Sequence, residues 1–92
     1  MKKTRFSHHD KVFRGLLKDL RQSRGLTQAQ LAKRLRVPQS VVSKYESSER
    51  SLDFVETAAV CAALGVSLVD FAGMYLERCP PPKARQGAKE GR

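Results

Sequence analysis

Residues 27–46 have the sequence TQAQLAKRLRVPQSVVSKYE, which contains two helix starts separated by a break. Thr27 and Gln30 have the spacing of a capping box, in which the hydroxyl accepts a first-turn amide proton and the glutamine side chain accepts from the cap amide. Pro38 interrupts the helical pattern, because proline disfavours helical geometry in the residue before it and suits the start of a new helix. The stretch therefore predicts two short helices joined by about three residues, a helix-turn-helix arrangement.

The second of these helices is expected to run from Pro38 or Gln39 to about Glu46, with Val42 and Tyr45 facing inward. Its outward side is mostly polar and consists of Gln39, Ser40, Val41, Ser43 and Lys44. Glutamine and serine have donors and acceptors that match base edges, lysine reaches guanine or phosphate, and a valine methyl can contact thymine. This surface favours DNA recognition, although many small helical proteins contain such a helix pair only as packing.

The flanking sequence predicts two further helices on the amino-terminal side of the break. An amphipathic helix is expected from about residue 10 to residue 23, ending before Gly25. Its apolar residues repeat with helical spacing and are Phe13, Leu16, Leu17 and Leu20. In the helix that follows Thr27, the expected inner face consists of Leu31, Ala32 and Leu35.

The carboxyl-terminal half predicts two more helices. Asp53 and Glu56 form the acidic version of a capping box, and Leu64 and Gly65 close the helix that it starts. The expected inner stripe of this fourth helix is Val55, Ala58, Ala59 and Ala62. A fifth helix is expected from Ser67, with apolar positions at Leu68, Phe71, Met74 and Tyr75. Five short helices without a strand pattern predict a compact all-α fold.

The length of 92 residues is that of one domain with a single modest core. We expect a flexible basic arm at residues 1–9, the helical domain at residues 10–77 and a disordered tail at residues 78–92. The tail contains three consecutive prolines at residues 80–82 and has almost no apolar side chain after them. Ordering it would therefore bury too little apolar surface to offset the lost entropy.

The charge is strongly asymmetric. The formal net charge is +9 and the sequence pI is about 10.2. The whole excess lies in residues 1–50, because basic and acidic side chains are equal in number in residues 51–92. A basic half of this kind indicates an anionic partner such as nucleic acid or an acidic membrane surface. A solvated charged face is the simpler alternative, but the complete segregation favours a polyanion site.

Several classes of protein are not expected. No apolar run approaches the roughly 20 residues that span a bilayer, and no signal-peptide core follows the basic start. Cys61 lies in an apolar helical pattern and Cys79 borders the prolines, so neither suggests a disulfide framework or metal site. Catalysis is not expected, because His8 and His9 lie in the arm and no carboxylate pair shares a helix face with a nucleophile. We expect a cytoplasmic protein without cofactor, metal or membrane partner.

These residues together resemble the phage-repressor and Cro-like helix-turn-helix family, also called Xre. The resemblance covers about residues 11–76 and rests on GLTQ at residues 25–28, the Leu31–Ala32 pair and QSVVSKYE at residues 39–46. It implies a lambda-repressor-like domain of five helices, in which helix three enters the major groove. Family members commonly bind two-fold operators as dimers. The resemblance therefore implies a homodimeric regulator of transcription, with repression as the expected outcome.

The resemblance also assigns roles to individual residues. The expected base contacts are Gln39, Ser40, Val41, Ser43 and Lys44. The expected phosphate contacts are Thr27, Gln28, Arg36 and Arg50, and Gln28 is also expected to brace Gln39. An ion pair between Arg21 and Glu46 is expected to hold the scaffold. This chain has Arg36 and Ser48 where many family members have glycine, and a non-glycine residue in a left-handed cap costs roughly 1 kcal/mol.

Two questions stay open at the level of sequence. The same type of domain serves as the DNA-binding antitoxin of toxin–antitoxin pairs, with a toxin as its main partner, and as the controller protein of restriction-modification systems. Both would still bind DNA. The apolar residues Leu68, Phe71, Met74 and Tyr75 of helix five could form a dimer interface, but the core of the domain itself is their favoured place.

Overall fold

The computed structural model describes residues 8–79, which form five α-helices. In chain order these are α1 His8–Ser23, α2 Gln28–Leu35, α3 Gln39–Glu46, α4 Phe54–Leu64 and α5 Leu68–Arg78. No strand occurs in this part of the chain, so the expected all-α fold is confirmed. No single described helix is long and apolar enough to cross a membrane; α4 and α5 together would be, but the chain bends by 101° between them.

The helices α1 and α5 extend slightly beyond the expected limits of the helical domain. α1 begins at His8, so the last two residues of the expected arm are helical. α5 continues to Arg78, and Cys79 after it is buried against the domain. The remaining residues of the expected arm and tail, 1–7 and 80–92, lie outside the described residues.

The starts of α2 and α4 are held by the two capping boxes. The Gln30 amide donates to Thr27 Oγ1 over 3.1 Å, and the Thr27 amide donates to Gln30 Oε1 over 2.8 Å. In α4 the Glu56 amide donates to Asp53 Oδ1 over 2.7 Å, and the Asp53 amide donates to Glu56 Oε1 over 3.0 Å. These bonds satisfy amides that have no partner inside the helix, which is why local sequence places both starts correctly.

The turns after α2 and α3 adopt left-handed geometry without glycine. Arg36 has φ 61° and Ser48 has φ 75°. The backbone amide of Val37 donates to the carbonyl of Ala32 over 3.1 Å, which closes α2 across Arg36. Arg36 and Ser48 thus adopt a conformation that suits glycine better, at the cost of crowding around the Cβ atom.

The core is built from all five helices. The side chains with at most 1% exposure include Leu17, Leu31, Val42, Tyr45 and Leu64. Phe71 of α5 adds an edge-to-face contact with Phe13 of α1, with ring centroids 5.9 Å apart. The burial of Val42 and Tyr45 confirms the expected inner face of α3 and leaves the opposite face of that short helix exposed.

The expected inner face of α4 is wrong. Val55 is 74% exposed, Ala59 and Ala62 are exposed, and Ala58 is half-buried. The residues of α4 that enter the core are instead Thr57, Val60, Cys61 and Leu64. α4 is apolar around most of its circumference, so periodicity does not select a face. Packing selects it, because Val60 and Leu64 fill space that alanine would leave empty.

The expected apolar residues of α5 pack within the domain. Phe71 is buried, and Leu68, Met74 and Tyr75 are half-buried against the core. Exposed apolar side chains lie elsewhere on the helix, with Val69 at 81% and Leu76 at 48% exposure. These exposed side chains lie on a different face of α5 from Leu68, Phe71, Met74 and Tyr75, whose possible role in a dimer stays a prediction.

Candidate nucleic-acid interface

The polar face of α3 is available for contact. Gln39, Ser40 and Lys44 are exposed, whereas Val41 and Ser43 are half-buried beside the core. The burial of Val42 and Tyr45 fixes which side of the helix points outward. The five side chains expected to contact bases thus lie on one short helix, with three of them exposed and two half-buried at the margin of its outward face.

A buried ion pair between Arg21 and Glu46 joins the carboxyl-terminal end of α3 to α1. Arg21 Nε donates to Glu46 Oε2 over 2.8 Å, and Arg21 Nη2 donates to Glu46 Oε1 over 3.0 Å. The side chains are 8% and 4% exposed. Glu46 raises the pKa of Arg21 through this hydrogen bond, against the opposing effect of burial. Arg21 Nη1 also donates to the carbonyl of Leu26 over 2.7 Å, which ties the pair to the loop before α2.

Gln28 links this ion pair to the outward face of α3. Its Nε2 donates to Glu46 Oε1 over 2.9 Å, and its Oε1 accepts a longer bond of 3.5 Å from Gln39 Nε2. The contact between Gln28 and Gln39 is the one that the resemblance implied. The contact between Gln28 and Glu46 has no signal in the sequence, because it joins residues 18 positions apart on different helices.

The residues expected to contact phosphate differ in the hydrogen bonds and ion pairs that they form within residues 8–79. Thr27 is exposed, and its cap uses the hydroxyl only as an acceptor, so the hydroxyl proton can still be donated. Arg36 is exposed on the turn between α2 and α3, and within residues 8–79 it is the arginine for which the structure shows no side-chain bond. Arg50 forms an ion pair with Glu56 over 2.9 Å, with both side chains 39% exposed.

Glu56 serves both α4 and Arg50. The hydrogen bond from the Asp53 amide, and after it the bond from Arg50, lowers the pKa of the Glu56 carboxyl. The carboxylate is therefore ionised near neutral pH and partly neutralises Arg50, one of the two cations that the resemblance assigned to phosphate. Sequence reasoning missed this pair because it identified Glu56 only as part of the capping box.

Much of the basic excess of the first half supports the fold. Arg14 Nη1 donates to the carbonyl of Glu46 over 3.1 Å, at the end of α3. At the end of α4, Arg24 Nε donates to the carbonyl of Leu64 over 2.7 Å and Arg34 Nη1 donates to that of Ala63 over 3.0 Å. Cations stabilise helix carboxyl ends because the last carbonyls carry partial negative charge. Within residues 8–79, no side-chain bond is shown for Lys11, Lys18, Lys33, Arg36 and Lys44.

A second surface feature is an open groove between α1 and α5. It has a volume of about 290 Å³, and its polar side chains include Asp19 and Arg78, which form an ion pair over 3.0 Å. No α3 residue lines it. Among the described residues there is no group of three or more histidine, cysteine or acidic side chains placed to hold a metal ion.

Comparison with known proteins gives one consistent result. A helix-turn-helix family model matches residues 17–71. An XRE-family like protein from Pseudomonas syringae pv. tomato str. DC3000 is 34% identical, with a TM-score of 0.76 over 86% of this chain and 96% of that one. No curated protein matches.

Two further solved structures are similar at 25% identity. The restriction-modification controller protein C.Esp1396I has a TM-score of 0.72, covering 77% of this chain and 93% of its own, and has also been solved as a tetramer with its natural 35 base-pair operator. The clp gene regulator ClgR from C. glutamicum has a TM-score of 0.68, covering 77% of this chain and 91% of its own. Because the family model matches more than half of the residues and the P. syringae protein aligns over nearly its whole length, the chain belongs to the Xre-type helix-turn-helix family.

Proposed function

We propose that this protein binds double-stranded DNA in a sequence-specific manner and regulates transcription, with α3 in the major groove. The observation that carries the proposal is the exposed face of Gln39, Ser40 and Lys44 on a helix whose opposite face is buried in the core. Side chains on such a face reach base edges, which differ between base pairs in the major groove. The operator complex of the similar protein C.Esp1396I supports the same use of the fold.

The contacts divide into two kinds. Gln39, Ser40 and Lys44 contact base edges, with Val41 and Ser43 at the margin of the same surface. Thr27, Gln28, Arg36 and Arg50 contact phosphates and set the register of the domain on the duplex. Arg36 is the strongest of these, because it is exposed and has no competing partner among residues 8–79, whereas Arg50 must first leave Glu56.

The test is selection of bound sequences from random duplex DNA at fixed salt, followed by affinity measurements with two variants. Gln39→Ala is expected to cost about 1–3 kcal/mol on the selected site and much less on random DNA. Arg50→Ala is expected to weaken both alike and to reduce the salt dependence. Failure to enrich any sequence, or equal losses for Gln39→Ala on both DNAs, would contradict the proposal.

We infer that the active form is a homodimer that uses the outer face of α5. Val69 and Leu76 are exposed there, and Ala72 and Gly73 lie between them on the same side. A Cβ atom at Gly73 would have no atom of residues 8–79 within 4 Å, so nothing in the described part of the chain requires glycine in the middle of the helix, where it costs about 1 kcal/mol relative to alanine. A closely packed second helix would account for both the exposed apolar side chains and the glycine.

The dimer is tested by Leu76→Glu, with Glu77→Gln as the matched control on the neighbouring residue. Light scattering should show a smaller mass for Leu76→Glu alone, and circular dichroism should show unchanged helix content for both variants. The selected sequence should then lose its two-fold symmetry requirement. A wild-type monomer at high protein concentration would contradict the dimer.

A role as a restriction-modification controller is a second candidate, favoured by the similarity to C.Esp1396I over 93% of that chain. Genes for a nuclease and a methylase beside the coding sequence would support it, and an adjacent toxin gene would instead support an antitoxin. In each case we propose that the protein acts by binding and not by catalysis, in the cytoplasm, where its free and buried thiols Cys61 and Cys79 stay reduced.

A further inference from the structure

The structure contains two arginine–glutamate pairs that differ in geometry and burial. Arg21 and Glu46 are joined by two hydrogen bonds, and their side chains are 8% and 4% exposed. Arg50 and Glu56 are joined by a single bond from Nη2 to Oε2 over 2.9 Å, and both side chains are 39% exposed. The buried pair stays closed, because opening it would leave two charges away from water. The exposed pair contributes little to stability and can open readily.

We infer that Glu56 sets the affinity of the protein for DNA, because its carboxylate competes with a DNA phosphate for the guanidinium of Arg50. The inference rests on the proposed function, in which Arg50 contacts phosphate. Carboxylate and phosphate are both anions that accept charged hydrogen bonds from the same group. Arg50 has further N–H groups, but a phosphate bound to them would lie beside the Glu56 carboxylate, and the two anions repel each other. Glu56 therefore opposes the contact whether or not the pair opens.

The Glu56 carboxylate is fixed in place by the start of α4. Its Oε1 accepts from the Asp53 amide over 3.0 Å, and the Glu56 amide donates to Asp53 Oδ1 over 2.7 Å. The carboxylate cannot swing away from Arg50 without opening this capping box. The largest cause of the lowered pKa of Glu56 is the bond from the Asp53 amide, which does not involve Arg50. The competing charge therefore persists when Arg50 turns towards DNA.

The backbone of Arg50 is tied to α3. The amides of Glu49 and Arg50 donate to the carbonyl of Lys44 over 2.8 and 3.2 Å. The loop thus keeps its place relative to the helix that is proposed to enter the major groove. Exchange of Arg50 between Glu56 and a phosphate then needs only a rotation of the arginine side chain. Because α3 is not disturbed, we expect Glu56 to change the affinity for all DNA sequences alike and not the choice between them.

The test separates the ion pair from the helix cap. Glu56→Gln keeps an oxygen for the Asp53 amide, since glutamine serves in a capping box as glutamate does. It replaces the oxygen that accepts from Arg50 with an NH₂ group. Asp53→Asn is the matched control, because it removes the same charge from the same helix start and asparagine caps as well as aspartate. The Asp53 side chain bonds the Glu56 amide and not Arg50.

Affinities are measured on a selected site and on random duplex DNA over a range of salt concentrations. Glu56→Gln should strengthen binding to both DNAs by about two- to fivefold, the equivalent of one exposed ion pair, and should steepen the salt dependence. Asp53→Asn should give a smaller gain. In an Arg50→Gln background the gain from Glu56→Gln should fall to that of Asp53→Asn, because the competition requires Arg50. Circular dichroism should show unchanged helix content for every variant.

The outcomes distinguish this inference from the function on which it rests. A wild-type protein that enriches no sequence from random DNA would overturn the proposed function. A protein that enriches a clear motif, with equal gains for Glu56→Gln and Asp53→Asn, would overturn the competition alone. Weaker binding by Glu56→Gln would do the same, since it would mean that Glu56 holds Arg50 in place for phosphate. A gain that persists in the Arg50→Gln background would also overturn it, because Arg50 would then not be the contested group.

Discussion

Tyr45 has a buried hydroxyl group that lacks a hydrogen-bond partner among residues 8–79. Its side chain is 1% exposed, and among residues 8–79 its hydroxyl is the buried side-chain group without a hydrogen-bond partner. An unsatisfied buried hydroxyl costs about 1–3 kcal/mol. Tyr45→Phe is therefore expected to raise the free energy of unfolding by about 1 kcal/mol, measured by urea denaturation. A lower free energy of unfolding would contradict this account of Tyr45.

The raised pKa of Tyr45 predicts that the free energy of unfolding depends on pH. Burial, and after it the negative charge of Glu46, raises the pKa of Tyr45 above its ordinary value of 10.0. The folded state then holds the phenolic proton more tightly than the unfolded state, so the stability contributed by Tyr45 is complete below about pH 10 and is lost as the pH rises further. Tyr45→Phe should remove this loss. The loss caused by the raised pKa of Cys61 should remain in both proteins, which denaturation at several alkaline pH values would show.

Arg36 has an unfavourable backbone conformation and a cationic side chain with no bond to another side chain or carbonyl among residues 8–79. Its φ of 61° is unfavourable for any side chain with a Cβ atom, by about 1 kcal/mol or more. Arg36→Gly should therefore be more stable than Arg36→Ala by about that amount in thermal or urea unfolding, although both variants lose the same cation. Equal stability of the two variants would show that the turn is not strained.

At the scale of elements, α4 offers the clearest test of which face is buried. Ala59 is exposed and Val60 is 3% exposed. Ala59→Lys should change the free energy of unfolding by no more than about 0.5 kcal/mol, whereas Val60→Ala should lower it by about 2 kcal/mol because it leaves a cavity. Strong destabilisation by Ala59→Lys would instead support the face expected from sequence.

The prediction of elements succeeded at the starts of α2 and α4 and failed at the orientation of α4. The caps at Thr27 and Asp53 are bonds between residues close in sequence, so their spacing alone locates the starts of α2 and α4. α3 was oriented correctly because Val42 and Tyr45 stand out among polar neighbours. α4 has no such contrast, since alanine and valine lie on all sides of it.

At the scale of the whole molecule, position matters more than net charge. Arg34 and Arg36 are two residues apart, but Arg34 donates to the carbonyl of Ala63 whereas Arg36 has no side-chain bond among residues 8–79. Arg36→Gln should reduce the slope of log affinity against log salt by about 0.9, the value for one phosphate contact, and Arg34→Gln should leave it nearly unchanged. Equal slopes for the two variants would mean that total charge governs binding.

The candidate site was predictable where its signals are local or carried by the family pattern. The outward residues Gln39, Ser40 and Lys44 and the Arg21–Glu46 pair are found where sequence led us to expect them. The hydrogen bonds from Arg24 and Arg34 to carbonyl groups at the end of α4 were not predictable from sequence. The carbonyls that accept them belong to residues 40 and 29 positions away in the chain.

Sequence by itself determined the five helices, the starts of α2 to α5 and the family, because caps, proline breaks and apolar contrast act between residues close in the chain. Tertiary structure alone decided which face of α4 is buried, which cations have no side-chain bond among residues 8–79, and that Glu46 reaches Gln28. Each of these depends on packing between helices distant in sequence, where burial raises the cost of an unpaired charge or an empty space and so selects one arrangement. The polar surface of α3 is visible in the sequence, whereas the hydrogen bond between Gln28 and Glu46 that lies behind it comes from the fold.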